Sequence, residues 1–158
     1  MIHAEMEGIN EVLQAMNSFT EIHDDKHLVA AVKVGLRQAL KPTLETAKAM
    51  APVDTGDLRN NLAIRTSSSK RIQRKYRTLA AGYVGVRKNA PPSVHRRAMS
   101  QEFGANLKMW GKTYNYSGKP YLRPALYGNQ SSITTDLAPH LKRAIMRKAR
   151  RLEARNGR

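Results

Sequence analysis

Cysteine is absent from this chain of 158 residues. That excludes disulfides and thiol nucleophiles, and it leaves any zinc site to histidine and carboxylate ligands alone. Long hydrophobic runs are also missing, since no apolar stretch approaches the roughly 18 residues a membrane-spanning helix requires. The opening residues MIHAEMEGIN have neither the basic start nor the apolar middle of a secretory signal. Intracellular synthesis, no membrane partner and no cofactor are the resulting expectations. A glycine-rich phosphate loop is lacking too. Gly82-Tyr83-Val84-Gly85 sits inside a strand pattern, where glycines serve close packing or a bulge.

The most informative shortage is of acidic residues. Residues 1–57 hold nine acidic and five basic residues, whereas 58–158 hold 23 basic and three acidic. No carboxylate occurs between Leu58 and Gln101. The formal net charge of +16 is therefore concentrated in the last two thirds of the chain. A solvated surface normally mixes both signs, so this asymmetry implies a polyanionic or acidic neighbour. Hydrophobic content of 41% suits one domain, 1–158, with an ordinary core, its basic end at 150–158 frayed.

The apolar periodicity predicts an edge strand at 2–7, a short helix at 10–17 and a long helix at 26–50. Leu28, Val32, Leu36, Leu40, Leu44 and Ala47 draw one stripe along the long helix. Pro42 removes a backbone donor and crowds the preceding turn, but the stripe keeps its phase across it. The expectation is one helix kinked near Leu40, ended by Pro52. Strands are predicted at 58–66 and 79–86, joined by a polar, basic loop at 67–77 as a hairpin with a long tip. A short helix at 95–103 would end at Gly104. Residues 105–119 read as irregular, and 133–152 as a C-terminal helix with Pro139 near its first turn. The fold class is α+β: a long kinked N-terminal helix and a C-terminal helix packed on a small antiparallel sheet.

Several stretches invite chemistry. Asp54-Thr55-Gly56 matches the aspartic-protease triplet, but that mechanism needs two carboxylates sharing a proton. Here the triplet follows a helix and a proline and reads as a capped turn. His23 and His27 are four apart, with Asp24 and Asp25 the nearest carboxylates, which is a polar surface rather than a metal site. His95 beside Arg96 and Arg97, with Tyr76, leaves a small basic ribonuclease as a lesser alternative, although a general base lacks a positioned partner. Lys70, Arg71, Arg74, Lys75 and Arg77 around Tyr76 form a basic segment able to reach phosphates without reading bases. About five phosphate contacts would give a log–log salt slope near −4.5. A small nucleic-acid-binding protein is accordingly the principal alternative reading.

Four motifs recur in a telling order. They are Ala51-Pro52-Val53-Asp54-Thr55-Gly56-Asp57-Leu58-Arg59 after a long helix, Val84-Gly85-Val86, Glu102-Phe103-Gly104, and Pro120-Tyr121-Leu122-Arg123-Pro124-Ala125-Leu126 before a closing helix. This ordered set resembles the small tail-component proteins, also called neck or tail-completion proteins, of long-tailed double-stranded DNA bacteriophages. The resemblance implies an α+β fold, no catalysis, and a homo-oligomeric ring at the head–tail junction between connector and tail tube. Genomic DNA would pass through that ring. It implies fold and contact roles for Pro52, Asp54, Thr55, Gly56, Leu58 and Arg59 at the helix-to-sheet turn. Glu102, Phe103 and Gly104 would end the mid-chain helix, and Arg123 and Pro124 would start the last helical segment. Two departures stand out. The basic segment 67–77 supplies DNA-facing candidates, and the aromatic stretch after Gly104 supplies Trp110, Tyr114 and Tyr116 as subunit-interface candidates.

The partners expected on that resemblance are six copies of the chain itself, connector or stopper proteins, tail terminator or tube proteins, and non-specific duplex DNA. The location expected is the virion neck or tail, after synthesis in the bacterial cytoplasm. A ring of six would carry about +96 formal charge, which is tolerable only beside DNA or acidic neighbours.

Overall fold

The computed structural model describes residues 9–22, 25–76 and 78–156. The predicted strand at 2–7, together with His23, Asp24 and Arg77, lies outside them. In chain order the elements are α1 (Ile9–Ile22), α2 (Asp25–Ala39), α3 (Lys41–Met50), α4 (Asp57–Asn60), β1 (Leu62–Ser67), α5 (Lys70–Tyr76), β2 (Ala81–Val86), α6 (Pro92–Phe103), β3 (Ala105–Met109), β4 (Lys112–Tyr116), α7 (Leu122–Gly128) and α8 (Gln130–Asn156). Two small antiparallel sheets, β1-β2 and β3-β4, accompany the helices, so the fold is α+β.

The chain gathers into two compact units. The first comprises residues 1–40, 66–83 and 130–158, and the second 41–65 and 84–129. In the first, α8 packs on α2 and α1. Its core is Phe19, Leu28, Ala31, Val32, Ala80, Ile145 and Leu152. Ala138, Ile145 and Leu152 are buried seven residues apart along α8, two turns each, which keeps one face inward. Pro139 stands in the interior of α8 rather than near its first turn. It lies on the exposed side, and the buried residues around it hold the helix through the missing bond. Where α2 meets α8, Gly35 leaves no room for a side chain: a Cβ there would sit 2.7 Å from Leu141 Cδ2 and 3.0 Å from its Cα.

In the second unit, α3 packs on α7 and α4, and α4 on α6. Its core is Ala47, Ala51, Leu58, Leu62, Val86, Val94, Ala98, Tyr121 and Ala125. Asn129 ties the end of α7 to α3, its amide donating to Thr46 Oγ1 at 3.0 Å and to the Ala125 carbonyl at 2.8 Å.

Four local expectations are corrected. The single kinked helix is two, α2 and α3, interrupted at Leu40. Pro42 takes the second position of α3, where its missing N–H is an orphan donor in any case. The stripe holds its phase, but Leu28 and Val32 serve one core and Ala47 the other. The strand expected at 58–66 begins only at Leu62, because Asp57–Asn60 first makes a helical turn. The loop expected at 67–77 contains helix α5, a conformation that lysine, arginine and glutamine favour once a nucleus forms. Finally, the stretch expected to be irregular at 105–119 contains the β3-β4 hairpin.

Candidate functional site

Three clusters of polar side chains stand out. The first is the corner between α3 and α4. Asp54 and Thr55 are exposed there, and Gly56 adopts φ 78, which strains any residue with a Cβ. The Thr55 hydroxyl donates to Asp57 Oδ2 at 2.6 Å. Arg97 Nη1, 42 residues on, donates to Thr55 Oγ1 at 3.1 Å and lies 3.9 Å from Asp54 Oδ2. Leu58 buries itself in the core beneath, while Arg59 points to solvent and Pro52 is half-buried. The triplet leaves a helix, not a strand, and its carboxylates are tied to a threonine, an arginine and the surface. The geometry a shared-proton carboxylate pair needs is not what this corner builds. Arg97 is also taken from the cluster around His95 that the ribonuclease reading requires.

The second cluster joins two motifs that lie far apart in sequence. Glu102, near the end of α6, is only 3% exposed. Its Oε2 accepts from the backbone N–H of Tyr121 at 2.9 Å and of Leu122 at 2.8 Å. Its Oε1 accepts from Arg123 N and Arg123 Nε, both at 3.1 Å. Arg123 Nη2 returns a bond to the Glu102 carbonyl at 3.1 Å, and its guanidinium stands 5.1 Å over the Phe103 ring. The first turn of α7 has orphan N–H groups and no capping side chain of its own. A carboxylate from α6 supplies the cap instead. Burial works to raise the Glu102 pKa, but the amides of Leu122, Tyr121 and Arg123 and the Arg123 side chain together hold it below the ordinary carboxylate value.

The surrounding backbone is pressed tight. Gly104 ends α6 at φ 77, and a Cβ there would meet the Tyr116 carbonyl at 2.6 Å. A Cβ on Gly118 would collide with the Gln101 and Ser100 carbonyls. Tyr116 Oη donates to Gln101 Oε1 at 2.8 Å. Pro124 follows in the first turn of α7. Tyr121 is fully buried beside Glu102, and its hydroxyl has no partner among the described residues. Burial and the neighbouring Glu102 charge push its pKa up to about 12. The sequence carried a signal for this lock that spacing alone did not reveal: Glu102 is the one acidic residue between Asp57 and Asp136.

The third cluster is basic. Lys70, Arg71, Arg74 and Lys75 are exposed on α5, and Lys70/Arg74 and Arg71/Lys75 are each one helical turn apart. A further basic surface lies on α8. There Lys142, Arg143, Arg147, Arg150 and Arg151 line an open groove of about 510 Å³ with Met146 and Ala154. A second hollow of about 200 Å³, against Val34 and Gln38 of α2, shares Arg143 and Arg147 and adds His140. Arg143 Nη2 lies 3.3 Å from His140 Nδ1. Lys142 pairs with Glu11 of α1. Among the described residues no carboxylate ion-pairs with Arg143, Arg147, Arg150 or Arg151.

The aromatic candidates lie on the β3-β4 hairpin. Trp110 is 87% exposed at its tip, and Tyr114 and Tyr116 stand on β4. They do not fold back into the core of their unit.

Among the described residues no group of three or more His, Cys, Asp or Glu comes together to hold a metal, and no helix is long and apolar enough to cross a membrane. This is a mixed helix–sheet protein whose buried Glu102 is committed to backbone amides and whose cations crowd helix surfaces. The particular family follows from the sequence: residues 11–106 match the family HK97-gp10-like, described as "Bacteriophage HK97-gp10, putative tail-component". That match spans more than half of the chain, and the chain belongs to this family. Neither the curated proteins nor the solved structures gave a match. Family membership brings a structural role in the bacteriophage virion, as a component of the tail in contact with other phage proteins.

Proposed function

We propose that this chain is a non-enzymatic ring subunit of the phage neck, joining the connector or stopper to the tail terminator or tube while duplex DNA passes through. Membership of a tail-component family supports the virion role. The observation that carries the DNA contact is the arginine groove on α8. Arginine guanidinium groups in a row, with no carboxylate ion-paired to them among the described residues, suit the phosphate backbone, which needs charge and geometry but no sequence readout. The cations Lys70, Arg71, Arg74 and Lys75 of α5, and Arg77 after it in the sequence, are further candidates for non-specific phosphate contact. Asp54, Thr55, Gly56, Leu58 and Arg59 shape a corner, and Glu102 with Arg123 locks a helix start. Neither is a reaction centre. Six copies are the stoichiometry this reading assigns to the ring. Synthesis takes place in the host cytoplasm, before the subunit joins the particle.

The test is duplex-DNA affinity measured against salt concentration, for wild type and for a variant with Arg143, Arg147, Arg150 and Arg151 changed to Gln. Losing about four phosphate contacts flattens the log–log slope by about 3.6. An unchanged slope removes α8 from the DNA-facing surface. Labelling of the protein in assembled particles tests its place. Signal at the head–tail junction supports the ring, whereas tight duplex binding by a protein absent from virions favours the free nucleic-acid-binding alternative.

A further inference from the structure

The β3-β4 hairpin is amphipathic in a way its own unit does not use. Leu107 faces Tyr114, Ala105 faces Tyr116, and Met109 faces Lys112 across the ladder. Directly opposed residues share a face, so Ala105, Leu107, Met109, Tyr114 and Tyr116 form one largely apolar side, with Lys112 at its tip end, while Asn106, Lys108, Thr113 and Asn115 form the other. Leu107, Met109 and Tyr114 are each more than 40% exposed. The turn between the strands is Trp110-Gly111, with φ 48 and 74. Two positive φ values make a type I′ turn, which Asn-Gly fits and a bulky residue does not. A tryptophan held there carries backbone strain and displays almost its entire side chain to solvent, the arrangement expected where function rather than folding chose the residue.

At the base of the same hairpin lies an open groove of about 590 Å³. Phe103, 64% exposed, Pro120 and Ala105 give it apolar surface, and Arg123, already poised over Phe103, gives it a flat cation. The backbone at Gly104 and Gly118 packs too closely against its neighbours to admit a side chain there. The hairpin tip stands five residues, about 17 Å, beyond the groove and so does not reach its own. A tip carried by another copy has no such restriction.

We propose that Trp110 of one subunit docks in the Phe103–Arg123 groove of the next. The indole lies against Phe103 and the Arg123 guanidinium, and the apolar hairpin face covers the groove's rim. Hook and groove are different surfaces of one chain, so the contact is head-to-tail, the kind that closes into a ring when its rotation permits. This rests on the ring reading of the preceding subsection and names its interface. Because each copy carries +16, association strengthens as salt screens the repulsion between copies.

The experiment is sedimentation of the full chain at millimolar concentration and high salt, as wild type, Trp110→Asn, Phe103→Ser, and an equimolar mixture of the two variants. Trp110→Asn gives the turn its preferred residue, so its melting temperature holds or rises. Each variant alone is expected to be monomeric. The mixture is expected to give a dimer and nothing larger, since one intact hook and one intact groove remain. A Trp110→Asn protein that assembles like wild type, a mixture that stays monomeric, or a wild type that never associates overturns the hook. The ring reading is judged separately, by whether assembled particles contain a ring of this protein at the neck.

Discussion

Glu102 shows what one side chain does when it is the sole carboxylate in a basic stretch. Its oxygens satisfy three amides at the start of α7 and anchor Arg123, whose outer half remains in water. Exposure of Arg123 weakens the ion pair, so most of the effect belongs to the amides. Glu102→Ala is expected to destabilise the protein by about 3 kcal/mol, read from denaturant midpoints at constant slope. The sign with pH follows from the lowered pKa. The unfolded chain takes up the proton first, so the contribution is complete at neutral pH and is lost as pH falls through the ordinary glutamate range and below. Glu102→Gln should flatten that acid limb of the stability profile, whereas an unaltered limb would assign it to other carboxylates.

Tyr121 gives the opposite case. Its buried hydroxyl has no partner among the described residues, so Tyr121→Phe is expected to leave stability unchanged or raise it by about 1 kcal/mol. Its raised pKa means stability is full below the ordinary tyrosine value and falls as pH climbs from about 10 toward 12. The phenylalanine variant should lose that alkaline decline, measured as melting temperature against pH.

Among the elements, α2 and α8 approach so closely at Gly35 that helix propensity is overruled. In an exposed helix, Gly→Ala gains about 1 kcal/mol. Here the new Cβ would strike Leu141, including its backbone, and forcing the helices apart costs about 1–3 kcal/mol. A net loss of thermal stability in Gly35→Ala is the expected result, and a gain would mean that α8 moves aside freely.

The elements also show how far pattern reading reaches. The stripes from Leu28 to Ala47 and along α8 mark helices because burial repeats every three or four residues. The same rule fails at Leu40, since keeping phase across Pro42 does not say which core each half faces. It fails again at α5, where Ile72 and Tyr76 among five polar residues are too few to establish a period. The hairpin at Ala105–Tyr116 was hidden because its turn is Trp-Gly rather than Asn-Gly, so the usual signal is absent. The Asp54–Arg97 and Glu102–Arg123 contacts join partners 43 and 21 residues apart, and no spacing rule predicts them.

For the whole molecule the excess of positive charge sets two opposing salt dependences. Duplex-DNA binding weakens as salt rises, because phosphate contacts release fewer counterions' worth of free energy. Self-association of the free chain strengthens over the same range, because repulsion between copies at +16 each is screened. Measuring both on one preparation separates an apolar interface from a charge-driven aggregate, in which the two would fall together.

The sequence by itself determined the composition-level facts: no thiol chemistry, a mixed α+β pattern, a basic carboxyl-terminal two thirds and an ordered set of motifs that belongs to a tail-component family. These depend on residue type and local period, which a linear chain displays in full. Tertiary structure alone decided that Glu102 caps a helix twenty residues away, that α8 arrays its arginines along one groove, and that Trp110 stands at the tip of a strained turn above a groove it does not reach. Each of these depends on which distant segments share a surface, and that is settled by packing, not by sequence spacing.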